Sequence, residues 1–545
     1  MKKILQFFLF LSVFFCTTGC NSPSKPVKTN PPKDYLAEFE ASLKNDTVAS
    51  TRAANLDFIF NNKTLGTTTI TIKRSEWNKL CDDYRYFYKN ENCVHALNYR
   101  YEKDGETWSI PNVGFRLRGN TSRFCPQGID NGRQQDQLNQ NWSQEYYDYA
   151  EKPNNDYRQT HFKVDFEEFL EGEDEMKMAN CMKGVALKRL DSACGREIFC
   201  FDLFHRYGIW TAPRASHTRL ILEFIEDETN YATTKIDYGV YEMFEEVNKQ
   251  SLKAREKSEN NPNENAWNNN KGNLWKCQHE LVNYDYLQWN IGVEDIRIFY
   301  KDETPAGENV TYKQDPKGER IAYVFDNYPL DLKTNKEDLD SAKKELMSFI
   351  EELNSMSTKE TAQIKAFYEK WFDVDFFLKT VAITVICGMD DDYWGNNNNF
   401  YLYFDTGKKG SGKVYYIPFD YDNSLGGSVF DGGFKQNPLD WGRGKNRPLI
   451  DNILKVPEFN AKYIKYLKEL SAKDSEWNYT RCSQQFLYWQ NLLRPYIDSP
   501  DIDYHISVKG FWYGTWQPDG YSLVDFPNNL YDATRESLNS WLLGQ

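Results

Sequence analysis

Between Gly388 and Gly427 the chain reads GMDDDYWGNNNNFYLYFDTGKKGSGKVYYIPFDYDNSLGG, and this stretch limits the fold more than any other. Two runs rich in aromatic and β-branched residues, Phe400 to Phe404 and Val414 to Phe419, flank the turn sequence Asp-Thr-Gly-Lys-Lys-Gly-Ser-Gly and predict a hairpin. A hairpin returns the chain to where it began, so Asn399 is expected beside Asp420. Three aspartates (Asp390, Asp391, Asp392) and four asparagines (Asn396 to Asn399) precede the first strand, and Asp420-Tyr-Asp422 follows the second. Carboxylate and amide oxygens suit hard divalent cations. Phosphoryl transfer needs such a cation on the phosphates and a carboxylate near the attacking hydroxyl. Asp and Asn are also ordinary turn residues, and Asp-Tyr-Asp-Asn-Ser resembles the start of a calcium loop. A magnesium site and a calcium site both stay open at this point.

At 545 residues the chain exceeds what one hydrophobic core supports. With 36 Tyr and 35 Phe it is expected to hold substantial sheet. A net charge of −14 with no basic run excludes a protein that coats nucleic acid. The amino terminus has the pattern of a sorting signal: Met1-Lys-Lys, an apolar run from Ile4 to Phe15, then Gly19-Cys20. That run is too short for a hydrocarbon layer of about 30 Å. Gly19-Cys20 is similar to a bacterial lipobox, with Thr17 where Leu is usual. Residues 1–19 are expected to be removed, Cys20 to carry lipid, and residues 20–50 to form a tether at the cell envelope. Of the remaining cysteines, Cys81 and Cys93 are a local candidate pair. The lack of a CxxC pair or a Cys/His zinc spacing argues against zinc.

Periodicity places strands at Gly66–Ile72, Val113–Leu117, Thr160–Phe166, Val185–Leu190, Ser216–Ile225 and Ile236–Phe244. A helix over Gly195–Arg206 would be capped by Asp191. An antiparallel sheet carrying one packed helix satisfies that order. Short helical character appears at Tyr35–Leu43, and the polar segment 124–158 reads as a surface loop. Residues 249–271 are polar and asparagine-rich and read as a lobe boundary or mobile loop. Helices are expected over Lys336–Met356, Thr358–Trp371, Val374–Cys387, 480–497 and 532–542, with an aromatic loop from Phe511 to Trp516.

Six separated pieces resemble, in order, the signature of the CotH family: Val113-Gly-Phe-Arg-Leu-Arg-Gly-Asn-Thr-Ser, Phe162-Lys-Val, Gly272-Asn-Leu-Trp-Lys, Phe372-Asp-Val-Asp-Phe-Phe-Leu-Lys, Asn399-Phe-Tyr-Leu-Tyr and Ile417-Pro-Phe-Asp-Tyr-Asp. That family resembles protein kinases in fold and phosphorylates secreted proteins. The resemblance implies an α+β, two-lobed atypical kinase-like fold, with a sheet-bearing N-lobe over 51–247 and a mainly helical C-lobe over 248–545. It further implies ATP with Mg2+, or Mn2+, in the cleft. Asp420 would hold the metal with Asp422 nearby, and Asn399 or Asn396 would be a second ligand. One of Asp390, Asp391 and Asp392 would accept the hydroxyl proton, Asp391 being preferred. The phosphate-binding cation would be Lys163 or Lys188, with Glu197 its partner and Arg116 and Arg118 further candidates on one strand face.

The functional expectation is an exported kinase acting on a secreted or surface protein and tethered to the membrane at Cys20. The alternative is an inactive surface lipoprotein, an adhesin or structural protein, whose acidic loop binds Ca2+. A carbohydrate-active enzyme is a third reading, disfavoured because a glycosidase carboxylate pair needs no asparagine cluster.

Overall fold

The computed structural model describes residues 27, 28, 34 and 37 and, from 52 to 502, all but 87–91, 120–123, 128–156, 171–181, 192–193, 228, 258–265, 278–297, 301–309, 315–319, 325–329, 390, 426–437, 443–446, 473, 476, 478 and 498. The sorting signal, Cys20, most of the Tyr35–Leu43 helix and of the 124–158 loop, Asp390, the Phe511–Trp516 loop and the 532–542 helix lie outside the described residues.

A two-residue strand, β1 (Val27–Lys28), pairs with the far end of β8 (Ala232–Glu245). Six further strands complete a barrel with β8: β2 (Gly66–Lys73), β3 (Val94–Lys103), β4 (Glu106–Leu117), β5 (Phe162–Asp165), β6 (Gly184–Arg189) and β7 (Ala215–Asp227). Their order is β8-β6-β5-β4-β3-β2-β7, and β7 returns to β8. The element order predicts an antiparallel sheet carrying one packed helix. Instead β7 pairs antiparallel with β8 and parallel with β2, so the sheet closes and loses its edges. Hydrophobic alternation shows which face of a strand is buried but not which strand lies beside it, which is why closure was missed.

The barrel interior is lined by Ile70, Tyr99, Phe115, Phe162, Leu187, Phe224 and Tyr238. Trp77, from helix α2 (Arg74–Tyr86) that follows α1 (Arg52–Ile59), is fully buried among them. Its ring meets Phe224 at 5.1 Å and Tyr238 at 6.1 Å, both edge-on. Burying one such side chain contributes about 1.5–3 kcal/mol. With Val185 and Leu187 inward, Ala186 and Lys188 point out. The ladder sets Arg116 beside Lys163, Lys163 beside Ala186, and Lys188 beside Glu242, so these residues share the outer face.

Helix α3 (Arg196–Arg206) packs on that face through Ile198, Phe201 and Phe204. Its N-cap is Gly195, and the predicted capping residue Asp191 binds that end from upstream, its two oxygens accepting from the Gly195 and Arg196 amides at 3.0 and 2.9 Å. Gly195 has φ 120°, and a Cβ there would lie 2.7 Å from His217 Nε2, so glycine is required on two counts.

Past β8, α4 (Lys249–Ala254) is capped by Asn248, and Trp267 is buried. The polar segment read as a lobe boundary or mobile loop is thus anchored at both ends. A second antiparallel sheet, in the order β13-β9-β14-β15, comprises β9 (Asn273–Cys277), β13 (Leu330–Leu332), β14 (Phe400–Asp405) and β15 (Lys413–Pro418). β10 (Ile298–Tyr300), β11 (Val310–Gln314) and β12 (Arg320–Val324) form a separate small sheet. Helices α5 (Leu339–Ser355), α6 (Thr361–Trp371), α7 (Val374–Ile386), α8 (Pro448–Leu454), α9 (Pro457–Ser471) and α10 (Tyr479–Ile497) share one apolar core with α3 and the inner side of the second sheet.

Cys93 forms no disulfide. The Cys81–Cys93 pair is therefore not formed: Cys81 belongs to the barrel core, whereas Cys93 lies against Gly114. No helix among the described residues is long and apolar enough to cross a membrane.

Candidate active site

Lys188 leaves the outer face of β6 with its side chain only 6 % exposed. Its Nζ lies 2.5 Å from Glu197 Oε2 on α3, is ion-paired to Asp420 Oδ1, and stands 3.8 Å from Asp422 Oδ2. The other Glu197 oxygen accepts the Tyr421 amide at 3.1 Å. Glu197 therefore ties the lysine to the Asp-Tyr-Asp turn. Burial by itself would strip the proton from Lys188, but the Asp420 and Glu197 carboxylates outweigh it and keep the ammonium charged. Burial likewise opposes ionisation of Asp420, and Lys188 and Arg118 overcome it, holding the carboxyl down at about 2. Asp422 is pushed upward by burial and by the neighbouring carboxylates, against the pull of Lys188; its side chain stays 40 % exposed, which tempers the burial contribution.

The aspartate run sits at the end of α7. Asp391 Oδ1 accepts from the Asn396 amide at 2.7 Å and the Asn398 amide at 3.3 Å. Its Oδ2 accepts from Asn423 at 2.8 Å and Asn399 at 3.1 Å. Four amide donors thus clamp one buried carboxylate. Burial raises its pKa, the amides from Asn396, Asn398 and Asn423 work against that, and the Asp420 charge adds to the rise. The hairpin closes as predicted, with the Phe419 amide donating to the Asn399 carbonyl at 3.2 Å. Asn397, Asn399 and Asp420 all have positive φ, at 63°, 56° and 60°. Asn and Asp tolerate that conformation better than other residues bearing a Cβ, which gives the asparagine run a backbone reason as well as a polar one.

Asp392 organises the loop: its side chain accepts from the Gly395 amide at 3.0 Å and its carbonyl from the Asn396 and Asn398 amides. Asp390 lies outside the described residues. Tyr421, between the two turn aspartates, points the other way. Its hydroxyl bonds Thr384 of α7 at 2.7 Å, and its ring meets Phe204 and Phe201 of α3 at 5.3 and 5.8 Å. The middle residue of Asp-Tyr-Asp thus fixes the turn while its neighbours face the lysine.

Of the two candidate lysines, Lys188 meets Asp420, whereas Lys163 is ion-paired to Glu246 at 3.0 Å. Arg118 approaches Phe419, its Cζ 5.8 Å from the ring centroid, while the guanidinium of Arg116 bonds the Leu117 carbonyl at 3.3 Å. Sequence reading gave no role to Asn423, which is signalled by its place next to Asp422.

Among the described residues no three His, Cys, Asp or Glu side chains converge as a metal cage. Mg2+ does not need one, because it is held by one or two carboxylates together with phosphate oxygens and water. Asp420 and Asp422 would supply the carboxylates. With Asn399 Nδ2 directed at Asp391, its Oδ1 remains as the amide's ligand atom. Calcium, which takes six to eight oxygens, fits this donor set less well.

A buried lysine shared between a helix glutamate and a turn aspartate, opposite an amide-clamped carboxylate, is the layout of a phosphoryl-transfer site. The chain matches the family model of the CotH kinase protein over residues 153–529, well over half its length, and it belongs to that family. Five of the six pieces quoted from the sequence fall inside the matched span; Val113–Ser122 precedes it. Searches of curated proteins and of solved structures each returned no match.

Proposed function

We propose that the protein is a kinase that transfers the terminal phosphoryl group of ATP to a hydroxyl of a secreted or surface protein. The observation that carries this is the Lys188–Glu197–Asp420 ion cluster facing Asp391. In this reading the barrel with α3 is the N-lobe of an atypical two-lobed kinase, and the second sheet with α5–α10 is the C-lobe. Asp420 and Asp422, with Asn399, would hold Mg2+, which on the phosphates offsets the charge that develops during transfer.

Glu197 holds Lys188 in place, so the ammonium is positioned before nucleotide arrives. Asp391 accepts the proton of the attacking hydroxyl. Its clamp fixes the carboxylate in one orientation, and burial makes it a stronger base than an exposed aspartate. Asn396, Asn398, Asn399 and Asn423 position it without taking its proton. The amino-terminal pattern supports an exported protein held at the envelope by lipid on Cys20, where its substrates would also be exported proteins.

The test is incubation of the mature protein with labelled ATP and Mg2+, following label on protein and the nucleotide product, beside Asp420→Ala and Asp391→Asn. Transfer by the wild type that both variants lose supports the reading. Calcium-dependent stabilisation with no response to nucleotide would replace it with the structural lipoprotein.

A further inference from the structure

Eight of the eleven residues of α3 are buried, Arg196 to Phe201 together with Leu203 and Phe204, so the helix is enclosed on both sides and not laid on a surface. One side holds Glu197 on Lys188 and meets the Asp-Tyr-Asp turn, where Cys200 Sγ lies 3.1 Å from Ser424 Oγ. At 3.6 residues per turn Phe199 projects about 200° away from Glu197. That opposite side is covered by α10.

Phe199 stacks on Phe486 of α10, ring centroids 4.9 Å apart, and meets Trp477 at 5.8 Å. One turn on, Asp202 Oδ2 accepts from Gln485 Nε2 at 2.8 Å and from Arg206 Nε at 3.0 Å, and Arg206 Nη2 donates to Gln485 Oε1 at 3.4 Å. Both polar atoms of the Gln485 amide are therefore engaged by α3. Just past the helix, the Tyr207 hydroxyl donates to Glu469 of α9 at 2.8 Å. α10 is itself seated on the barrel: the Trp489 ring meets His217 of β7 edge-on at 5.3 Å, and a Cβ at Gly195 would lie 3.5 Å from Trp489 Cε3. Asp202 and Gln485 are 283 residues apart, so this brace exists only in the folded chain.

A phosphate-binding lysine paired with a helix glutamate works only while that helix stays against the strand bearing the lysine. The 2.5 Å contact between Lys188 and Glu197 tolerates little movement of α3. We propose that Phe486 and Gln485 are positioning residues for phosphoryl transfer. By bearing on the far side of α3 they keep Glu197 on Lys188, and the site is assembled without an activating partner or an activating modification. The inference rests on the kinase reading above and assigns the element that holds its site together.

Transfer by the purified full chain, with nothing but Mg-ATP and acceptor added, is measured for the wild type, Phe486→Ala, Phe486→Leu, Gln485→Ala and Glu197→Gln, and for each alanine variant combined with Glu197→Gln. Phe349→Ala serves as a control, since it removes a core ring packed on Phe367 and Phe404, away from α3. Melting temperature with and without Mg-ATP is recorded for each. Phe486→Ala is expected to lower kcat about tenfold and Gln485→Ala about threefold, Phe486→Leu to restore most of the loss, and Phe349→Ala to stay within about twofold. In the Glu197→Gln background the α10 substitutions should cost less than about twofold more, because the contact they serve is already gone. If Phe486→Ala does not fold, Gln485→Ala, at a half-buried position, carries the test. Unchanged kcat in the α10 variants, losses that multiply with Glu197→Gln, or an equal loss in Phe349→Ala would overturn the proposal. So would a wild type that Mg-ATP stabilises but that transfers no phosphate unaided. A wild type that Mg-ATP does not stabilise would overturn the nucleotide reading itself, a separate failure visible before any variant is compared.

Discussion

Lys188 Nζ and Glu197 Oε2 stand 2.5 Å apart, with 6 % and 3 % of the two side chains exposed, and join β6 to α3 at the point where both face Asp420. Removing one member of a buried ion pair strands the other, at a cost of about 3–5 kcal/mol. Glu197→Gln and Lys188→Met should each lower stability in urea unfolding. The double variant should lose less than the sum, because no buried charge remains unmatched between them. Strict additivity would show that the two groups do not depend on each other.

Asp391→Asn should abolish phosphoryl transfer, by about 10²-fold or more, while Mg-ATP still raises the melting temperature. The new amide would set donors against the donors of Asn396, Asn398, Asn399 and Asn423. A stability loss of about 1–3 kcal/mol is therefore expected as well. Retained transfer would remove Asp391 from the chemistry.

Asn423→Ala deletes one of the four donors, at 2.8 Å, without touching the Lys188 cluster. The expected result is a lower kcat with KM for ATP nearly unchanged, since the loss falls on orientation of the base and not on nucleotide binding. A rise in KM alone would contradict this.

His217 is 2 % exposed on β7, and burial, opposed by the Cys194 carbonyl and the Asp191 charge, pulls its pKa from 6.5 to about 4. The unfolded chain then binds a proton that the fold refuses between those two values. This contribution is fully present above pH 6.5 and is lost as pH falls toward 4, at about 1.4 kcal/mol per pH unit. His217→Gln should show a shallower decline in unfolding free energy over that range. Equal slopes would mean that the ring is charged inside the fold.

Arg255 and Glu245 make a buried two-point pair, Nη1 to Oε1 at 2.6 Å and Nη2 to Oε2 at 2.7 Å, and the guanidinium also donates to the Trp210, Ala212 and Ser251 carbonyls. Glu245→Ala should cost about 3–5 kcal/mol by leaving that charge uncompensated. Circular dichroism melting of the variant beside the wild type measures it; a change within error would show that the backbone carbonyls suffice.

By itself the sequence determined local structure and the candidate site groups. Alternation and turn residues located the hairpin from Phe400 to Phe419, the strand carrying Lys188 and Asp191 at the start of α3, because each depends on neighbours within a few positions. The same local reading placed Asp391, Asn399 and Asp420 at the two ends of one hairpin, which are bound to meet. The tertiary structure decided what depends on distant partners. Closure of the barrel required the parallel pairing of β2 with β7, which no periodicity encodes. Which lysine meets Asp420 followed from α3 delivering Glu197 to Lys188 while Glu246 took Lys163; both lysines sit on the same outer face, and only a packed helix distinguishes them. Asn423 gained its place in the same way, because a side chain's partners are set by which elements pack together, whereas its strand or helix is set by its nearest neighbours in the chain.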